Sequence, residues 1–197
     1  MKATLAASTP VGLAVDPLTR YLYIVGAETV HVVDATVNPP AVWKRSFHPG
    51  GLTSYQYQNI AFTDDGQKLY MGGKRTPTVN DQGAREFVRN DAGTPADYTD
   101  DTFAASGVGI QQTGVMPALG YGDVRSCTVD RNGKVYVGDL HATKPPVRRY
   151  IAGANTLDME FNTTTRVWGC ATDASNNFWP TDIADATSAH VTGTCHL

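Results

Sequence analysis

The sequence contains few charged residues, and basic residues do not outnumber acidic ones. Lys and Arg number 16 against 19 Asp and Glu, and charged residues make up 18% of the 197 residues. A protein that binds nucleic acid or acidic membranes through its general charge carries a basic field. The composition therefore argues against a nucleic-acid partner and leaves recognition to specific sites.

Long apolar runs are also missing. No stretch approaches the roughly 20 apolar residues of a membrane-spanning helix. The first eight residues, MKATLAAS, contain no apolar core of the kind that a signal peptide has. We therefore expect neither membrane insertion nor a signal peptide in this chain, and these features leave its compartment open.

The common catalytic and cofactor motifs do not occur. The chain has no Gly-x-Ser-x-Gly elbow, no Walker A motif, no His-Glu-x-x-His pair and no EF-hand loop. Its three cysteines match no zinc or haem spacing. An enzyme is therefore the less favoured interpretation, and no cofactor is implied.

What the sequence does contain is a unit that recurs four times. Each copy is a short strand, a turn at an Asp and a second strand with an aromatic residue at a fixed position. The copies cover residues 12–26, 60–73, 126–139 and 169–182, with turn residues Asp16, Asp64, Asp130 and Asp173 and aromatic residues Tyr23, Tyr70, Tyr136 and Trp179. Because an Asp side chain bonds readily to turn backbone, we interpret the four acids as turn residues rather than metal ligands. The recurring aromatic residue indicates packing between neighbouring units.

The spacing of the copies predicts the fold class. Successive turn positions lie roughly 40 to 70 residues apart, and a propeller blade of four strands takes about 40–50 residues. We predict one all-β domain over residues 1–197, a β-propeller with blades at about 9–47, 57–112, 123–161 and 166–197.

The ends of the chain suggest how such a ring closes. The last copy reaches residue 197 before a fourth strand, whereas residues 3–7 have no partner of their own. We expect residues 3–7 to pair with the last blade, which leaves no long sheet edge bare. A ring completed by a second chain is the alternative, so an oligomer stays open.

Two copies resemble known propeller repeats. Residues 11–36, with GLAVDP, YLYIV and TVHVVD, resemble a YVTN-type repeat, and residues 127–150 are similar to NHL- or SMP-30-like repeats. The resemblance implies a propeller fold, although such families usually have about six to eight blades. An SMP-30-like lactonase would require a divalent cation, for which Asp139, His141 and Asp182 are the candidate ligands.

Two of the cysteines fall at the same position of consecutive copies. Cys127 and Cys170 each follow the first residue of a copy. They are interpreted either as two small apolar core residues or as a disulfide between neighbouring blades.

The candidate binding residues lie in the loops that join strand two to strand three and strand four to the next blade. Loops on a rigid scaffold often carry binding residues. Arg125 and Trp168 are the favoured contacts, since Arg and Trp are enriched in binding hot spots. The alternative places Trp168 inside a blade and Arg125 on a solvated rim. Tyr57 belongs to the same loop group.

The second copy is roughly 20 residues longer than a usual blade, and the extra length falls within residues 74–120. Long loops in compact domains are usually functional or disordered. We expect this insertion to contact a partner through Phe87, Tyr98 and Phe103. A decorated surface loop without function is the alternative.

Together these features predict a non-enzymatic propeller that binds protein partners. It would dock as a structural module into a larger assembly, such as a multi-protein complex, a cell surface or a virion. A metal-dependent hydrolase or lactonase, and a carbohydrate-binding propeller, are the alternatives.

Overall fold

The computed structural model describes residues 10–26, 29–37, 42–47, 55–75, 82–94, 96–112, 124–139, 147–151, 156–161 and 166–183. These residues form fourteen β-strands and no helix. The described residues therefore include no helix that is long and apolar enough to cross a membrane.

The strands form four consecutive antiparallel sheets, which are named blades 1 to 4. Blade 1 contains β1 (Pro10–Val15), β2 (Leu22–Gly26), β3 (Thr29–Asp34) and β4 (Val42–Phe47). Blade 2 contains β5 (Tyr55–Phe62), β6 (Lys68–Arg75), β7 (Gln82–Asn90) and β8 (Thr102–Gln112). Blade 3 contains β9 (Val124–Val129), β10 (Val135–Asp139), β11 (Val147–Tyr150) and β12 (Leu157–Phe161). Blade 4 contains β13 (Arg166–Thr172) and β14 (Phe178–Ile183).

Within each blade every strand pairs with the next one in sequence. The first strands contact one another between blades, β1 with β5, β5 with β9 and β9 with β13. They are therefore the inner strands of the array. This arrangement confirms the predicted all-β fold and its four blades. The third strand expected in blade 4 and the closing strand at residues 3–7 lie outside the described residues.

In blades 3 and 4, the turns between the first two strands use the predicted side-chain chemistry. Asp130 Oδ1 accepts hydrogen bonds from the backbone N–H groups of Asn132 and Lys134, both at 2.9 Å. Asp173 accepts the corresponding bonds from Ser175 and Asn177. Bonds from the Asn177 side chain and backbone lower the pKa of Asp173 to about 2.

The turn residue predicted for blade 2 is wrong by one position. Thr63, rather than Asp64, pairs its N–H with the carbonyl of Lys68, as Asp130 pairs with Lys134. The Thr63 hydroxyl accepts the Lys68 N–H at 3.0 Å, which is the bond that Asp130 makes in blade 3. Asp64 is an exposed residue that pairs with Arg131. The first strand and turn residue of the second copy therefore cover residues 59–63 instead of 60–64. Both Thr and Asp side chains can bond to turn backbone.

The apolar core lies between the blades, because side chains alternate between the two faces of each strand. Blades 1 and 2 enclose the first cluster, in which Tyr23 packs edge-on against Phe62 at 5.0 Å between ring centroids. Tyr70 belongs to the cluster between blades 2 and 3. Tyr136 stacks on Phe178 of blade 4 at 4.7 Å. The predicted role of these aromatic residues in packing neighbouring units is confirmed for Tyr23, Tyr70 and Tyr136.

The two cysteines of blades 3 and 4 are free thiols. Cys127 is buried at the interface with blade 2, where its thiol donates to the carbonyl of Tyr70 at 3.5 Å. Burial raises the pKa of Cys127 well above its usual range and that of Cys170 to about 12. The two thiols do not form the disulfide in this structure, and the interpretation as a small core residue holds for Cys127, whereas Cys170 is half-buried.

Candidate binding site at the bulged ends of the inner strands

Each inner strand carries a β-bulge near its start. The pairing register between β1 and β2 shifts by one residue at Val11, and the register between β5 and β6 shifts at Gln58. The register between β9 and β10 shifts in the same way at Arg125, and the register between β13 and β14 shifts at Trp168. A bulge kinks the strand and re-aims the side chain of the extra residue. These four residues, named the bulge set, therefore occupy equivalent positions at one end of the inner strands.

Three members of the bulge set contact one another across two blade interfaces. The Arg125 guanidinium lies over the Trp168 ring, 5.2 Å from its centroid. Arg125 Nη1 donates a hydrogen bond to Gln58 Oε1 at 3.3 Å. The planar guanidinium suits stacking of this kind, and a positioned Arg loses less conformational freedom on binding than a mobile one. Blades 2, 3 and 4 thus contribute one side chain each to a joined polar and aromatic surface.

The apolar members of the set are open to solvent. Trp168 is 47% exposed and Val11 is 41% exposed. This excludes the alternative in which Trp168 is a buried blade residue. An exposed Trp beside a half-buried Arg is a combination that protein interfaces favour.

Small residues let the inner strands approach closely enough to bring the set together. A Cβ atom on Gly12, the residue after Val11, would lie 2.8 Å from the Asn59 Cα. That distance is below any ordinary contact, so β1 and β5 can pack at this spacing only because Gly12 has no side chain.

Three of the predicted partner contacts are buried. Tyr57 and Phe87 are 1% and 0% exposed and pack against each other, with ring centroids 6.2 Å apart. Phe103 is 7% exposed and belongs to the same core cluster. In this structure these three side chains pack in the core, and their predicted contact with a partner stays a prediction. Tyr98 differs, since it is 36% exposed on the connection between β7 and β8.

Most of the described residues in the long segment of the second copy lie in strands. β7 and β8 pair from Gln82 with Gln112 to Asn90 with Thr102, which extends the blade and directs Phe87 and Phe103 inward. The insertion predicted within residues 74–120 stays a prediction, because residues 76–81, 95 and 113–120 lie outside the described residues. The connection at residues 91–101 is the part between these strands that leaves the sheet.

The predicted cation ligands are only partly described. Asp139 ends β10 and is buried, whereas His141 and the side chain of Asp182 lie outside the described residues. Within the described ranges, no three His, Cys, Asp or Glu side chains lie close enough to hold a metal ion.

Sequence reasoning found Arg125 and Trp168 but missed Val11 and Gln58. The signal was present, because the bulged residue is the one that precedes each copy of the repeat. Placing the second copy one residue late put Asn59 instead of Gln58 before it. When the first strand of the second copy begins at residue 59, each of the four bulged residues directly precedes its copy of the repeat.

Four consecutive antiparallel blades with contacting inner strands define a β-propeller. Solved structures with similar folds include a chain of a nidogen/laminin complex (TM-score 0.54, 15% identity), with 89% of this chain and 57% of that chain covered. U3-55K has a TM-score of 0.59 at 11% identity, with 91% and 47% covered. The β-propeller domain of Myceliophteria thermophila Cps50 (Swd1) has a TM-score of 0.60 at 9% identity, with 90% and 51% covered.

This chain spans about half the length of each of these structures. At such identities the likeness establishes the fold alone. No protein-family model matches the sequence. No curated protein matches it either.

Proposed function

We propose that this chain is a non-enzymatic propeller module that binds a protein partner at the mouth formed by the bulge set. The observation that carries the proposal is the Arg125–Trp168 stack, fixed by equivalent bulges on neighbouring inner strands. Burial of an exposed Trp and of a positioned Arg supplies much of the binding energy in protein interfaces.

The chemistry of the mouth favours a partner segment that carries a carboxylate beside an apolar group. The guanidinium can form charge-assisted hydrogen bonds with a carboxylate, and the Trp168 ring and Val11 can cover an apolar side chain. A larger assembly, such as a multi-protein complex, a cell surface or a virion, is the setting that we propose. The nidogen/laminin structure is a protein complex in which a chain of similar fold takes part.

The resemblance to YVTN- and NHL-type repeats belongs to the same proposal, as the finer relationship of this propeller. A metal-dependent lactonase rests on Asp139, His141 and Asp182, and a carbohydrate-binding propeller on repeated aromatic residues. Three of the four strand-two aromatic residues, Tyr23, Tyr70 and Tyr136, are buried between blades, which favours a protein-binding surface over an aromatic sugar site.

The proposal is tested by photo-cross-linking in the native source. A benzoylphenylalanine replaces Trp168 in one variant and Leu157, which is 48% exposed on β12, in a matched control. We expect a discrete protein adduct from position 168 and a much weaker one from position 157. Arg125→Ala introduced alongside the position-168 probe should reduce the adduct at least several-fold.

Equal adducts from both positions, or an adduct that Arg125→Ala leaves unchanged, would place the partner elsewhere and refute the proposal. Cation-dependent lactone hydrolysis by the purified protein would favour the enzyme instead.

A further inference from the structure

An arginine of blade 3 contacts blade 2 at each end of the inner strands. At the end that carries the bulge set, Arg125 Nη1 donates to Gln58 Oε1 at 3.3 Å. At the opposite end, beyond the last residues of β5 and β9, Arg131 Nε pairs with Asp64 Oδ2 at 2.8 Å. The acceptor that blade 2 provides is therefore an amide at the mouth and a carboxylate at the far end.

Carboxylates are also the acceptors for two buried arginines elsewhere in the blades. Arg89 pairs with Asp16 at 2.7 Å and with Asp101 at 3.5 Å, and Arg148 pairs with Glu160 at 3.1 Å. An arginine bonded to a carboxylate gains ion-pair attraction that an amide acceptor does not provide. A glutamate at position 58 would therefore join blades 2 and 3 at least as well as the amide does. The neutral acceptor indicates a role beyond joining the blades.

The Gln58 amide differs from a carboxylate in both charge and donors. Because an arginine has donors only, the amide turns its oxygen toward Arg125 and keeps two N–H donors on its nitrogen. It also adds no negative charge beside the guanidinium. A glutamate at the same place would offset the positive charge and offer no donor. An amide can therefore hold the guanidinium and donate to the same anion.

The second side chain that positions Arg125 within the bulge set is also uncharged. The Trp168 ring lies 5.2 Å from the guanidinium at its centroid and is 47% exposed. A guanidinium has five N–H donors, of which the bond to Gln58 uses one. The stack and the amide together fix the orientation of the guanidinium without adding an acid.

We propose that Gln58 determines the specificity of the mouth for a partner carboxylate over a neutral group. This inference rests on the proposed function and names the residue that sets the choice of partner. Arg125 and the Gln58 amide nitrogen donate together to the carboxylate, while an apolar neighbour of the acid lies against Trp168. The preference arises because the acceptor at position 58 is neutral.

The test is an NMR titration of the labelled full chain with two dipeptide probes. Nα-acetyl-Leu-Glu N-methylamide carries a carboxylate beside an apolar side chain, and Nα-acetyl-Leu-Gln N-methylamide is its neutral counterpart. We expect the glutamate probe to bind about fivefold or more tightly than the glutamine probe, with shifts at the amides around Gln58, Arg125 and Trp168. Equal affinities of the two probes for the wild type would overturn the proposal.

A charge substitution at position 58 tests the role of the neutral amide. Gln58→Glu keeps an acceptor for Arg125 and adds a negative charge, so the preference for the glutamate probe should fall below about twofold. The matched control is Gln67→Glu, which makes the same change at an exposed residue beyond the far end of β5 and should keep the wild-type preference. Equal losses in both variants would reflect net charge alone and overturn the proposal.

Gln58→Met separates specificity from a purely structural role. Methionine is similar in length to glutamine but provides neither a charge nor an amide. This variant should bind the glutamate probe more weakly than the wild type and still prefer it to the glutamine probe, because the Arg125 charge is not offset. If Gln58 served only to hold Arg125, Gln58→Glu would bind like the wild type and Gln58→Met would lose the preference. That pattern would overturn the proposal, and melting curves of all three variants show whether each one is folded.

Failure of this inference and failure of the proposed function give different results. The proposed function is judged by the protein adduct from position 168, which does not depend on the dipeptide probes. A discrete adduct together with an unchanged probe preference in Gln58→Glu would keep the binding site and remove the specificity role of Gln58.

Discussion

At the residue scale, Arg89 joins blades 1 and 2 through a buried ion pair with Asp16. Its side chain and that of Asp16 are 2% and 0% exposed, and their charged atoms lie 2.7 Å apart. Asp16 also accepts bonds from Leu18 N–H and the Thr19 hydroxyl, so its carboxylate is well satisfied. Removing the guanidinium would leave two buried carboxylates without their cation.

We therefore expect Arg89→Met to destabilise the fold by about 3–5 kcal/mol in urea unfolding. The control is Arg131→Met, which removes an ion pair with Asp64 at 2.8 Å whose side chains are 54% and 64% exposed. Exposed pairs contribute roughly 0–1 kcal/mol, so the control should stay close to wild type. Similar losses in both variants would show that burial of the Arg89 pair does not set its contribution.

Local chemistry predicted the turn role of Asp16, and the structure agrees. It could not predict the partner, because Arg89 lies far along the chain and reaches Asp16 only once blades 1 and 2 pack. The same limit applies to Asp101, which reads in sequence as one of several loop acids. Its burial follows from the course of the connection between β7 and β8.

At the level of strands, the close packing of the inner strands requires residues with small side chains. The close approach of β1 to β5 at Gly12 involves backbone atoms, which cannot move aside as a flexible side chain can. The bulge at Val11 directly precedes this contact, so strand packing and the geometry of the mouth are coupled.

Gly12→Ala should destabilise the protein by about 1–3 kcal/mol, the usual range for an over-packed site. Thr102→Ala, at an exposed strand position of β8, is the control and should change the unfolding free energy by less than about 0.5 kcal/mol. Urea denaturation measures both. An unchanged Gly12→Ala midpoint would mean that β1 and β5 do not approach as closely as described.

Strand positions and turns were predictable because alternating apolar residues and turn-forming acids act locally. The predicted turn position in blade 2 was wrong because two neighbouring residues can each form the turn. Thr63 and Asp64 can each close a turn, and only the pairing of β5 with β6 selects Thr63. The length of β7 and β8 was likewise hidden, since polar residues within a paired hairpin resemble those of a loop.

For the whole molecule, the exposed face of β1 is the feature that bears on ring closure. Leu13 and Val15 are 66% and 52% exposed. The residues at the Leu13 position in blades 2 and 3 are Ile60 and Cys127, and each is buried against the preceding blade. Closure of the ring within one chain, with residues 3–7 completing blade 4 and covering Leu13, stays a prediction, because residues 3–7 lie outside the described residues.

The number of blades followed from the repeats, since each unit must bury a face on its neighbour. Closure did not follow in the same way, because it depends on pairing between the two ends of the chain. A second chain that covers Leu13 is the competing arrangement.

Thermal melting of a variant that lacks residues 1–8 tests closure most directly. If residues 3–7 pair with the last blade as predicted, their loss bares a blade edge and exposes Leu5, so the cost should be several kcal/mol. For a chain of this size that corresponds to a fall in Tm of about 5–10 °C or more. A variant that lacks only residues 1 and 2 should melt like the full chain. If the variant without residues 1–8 also melts within one or two degrees of the full chain, the four blades do not close in this way.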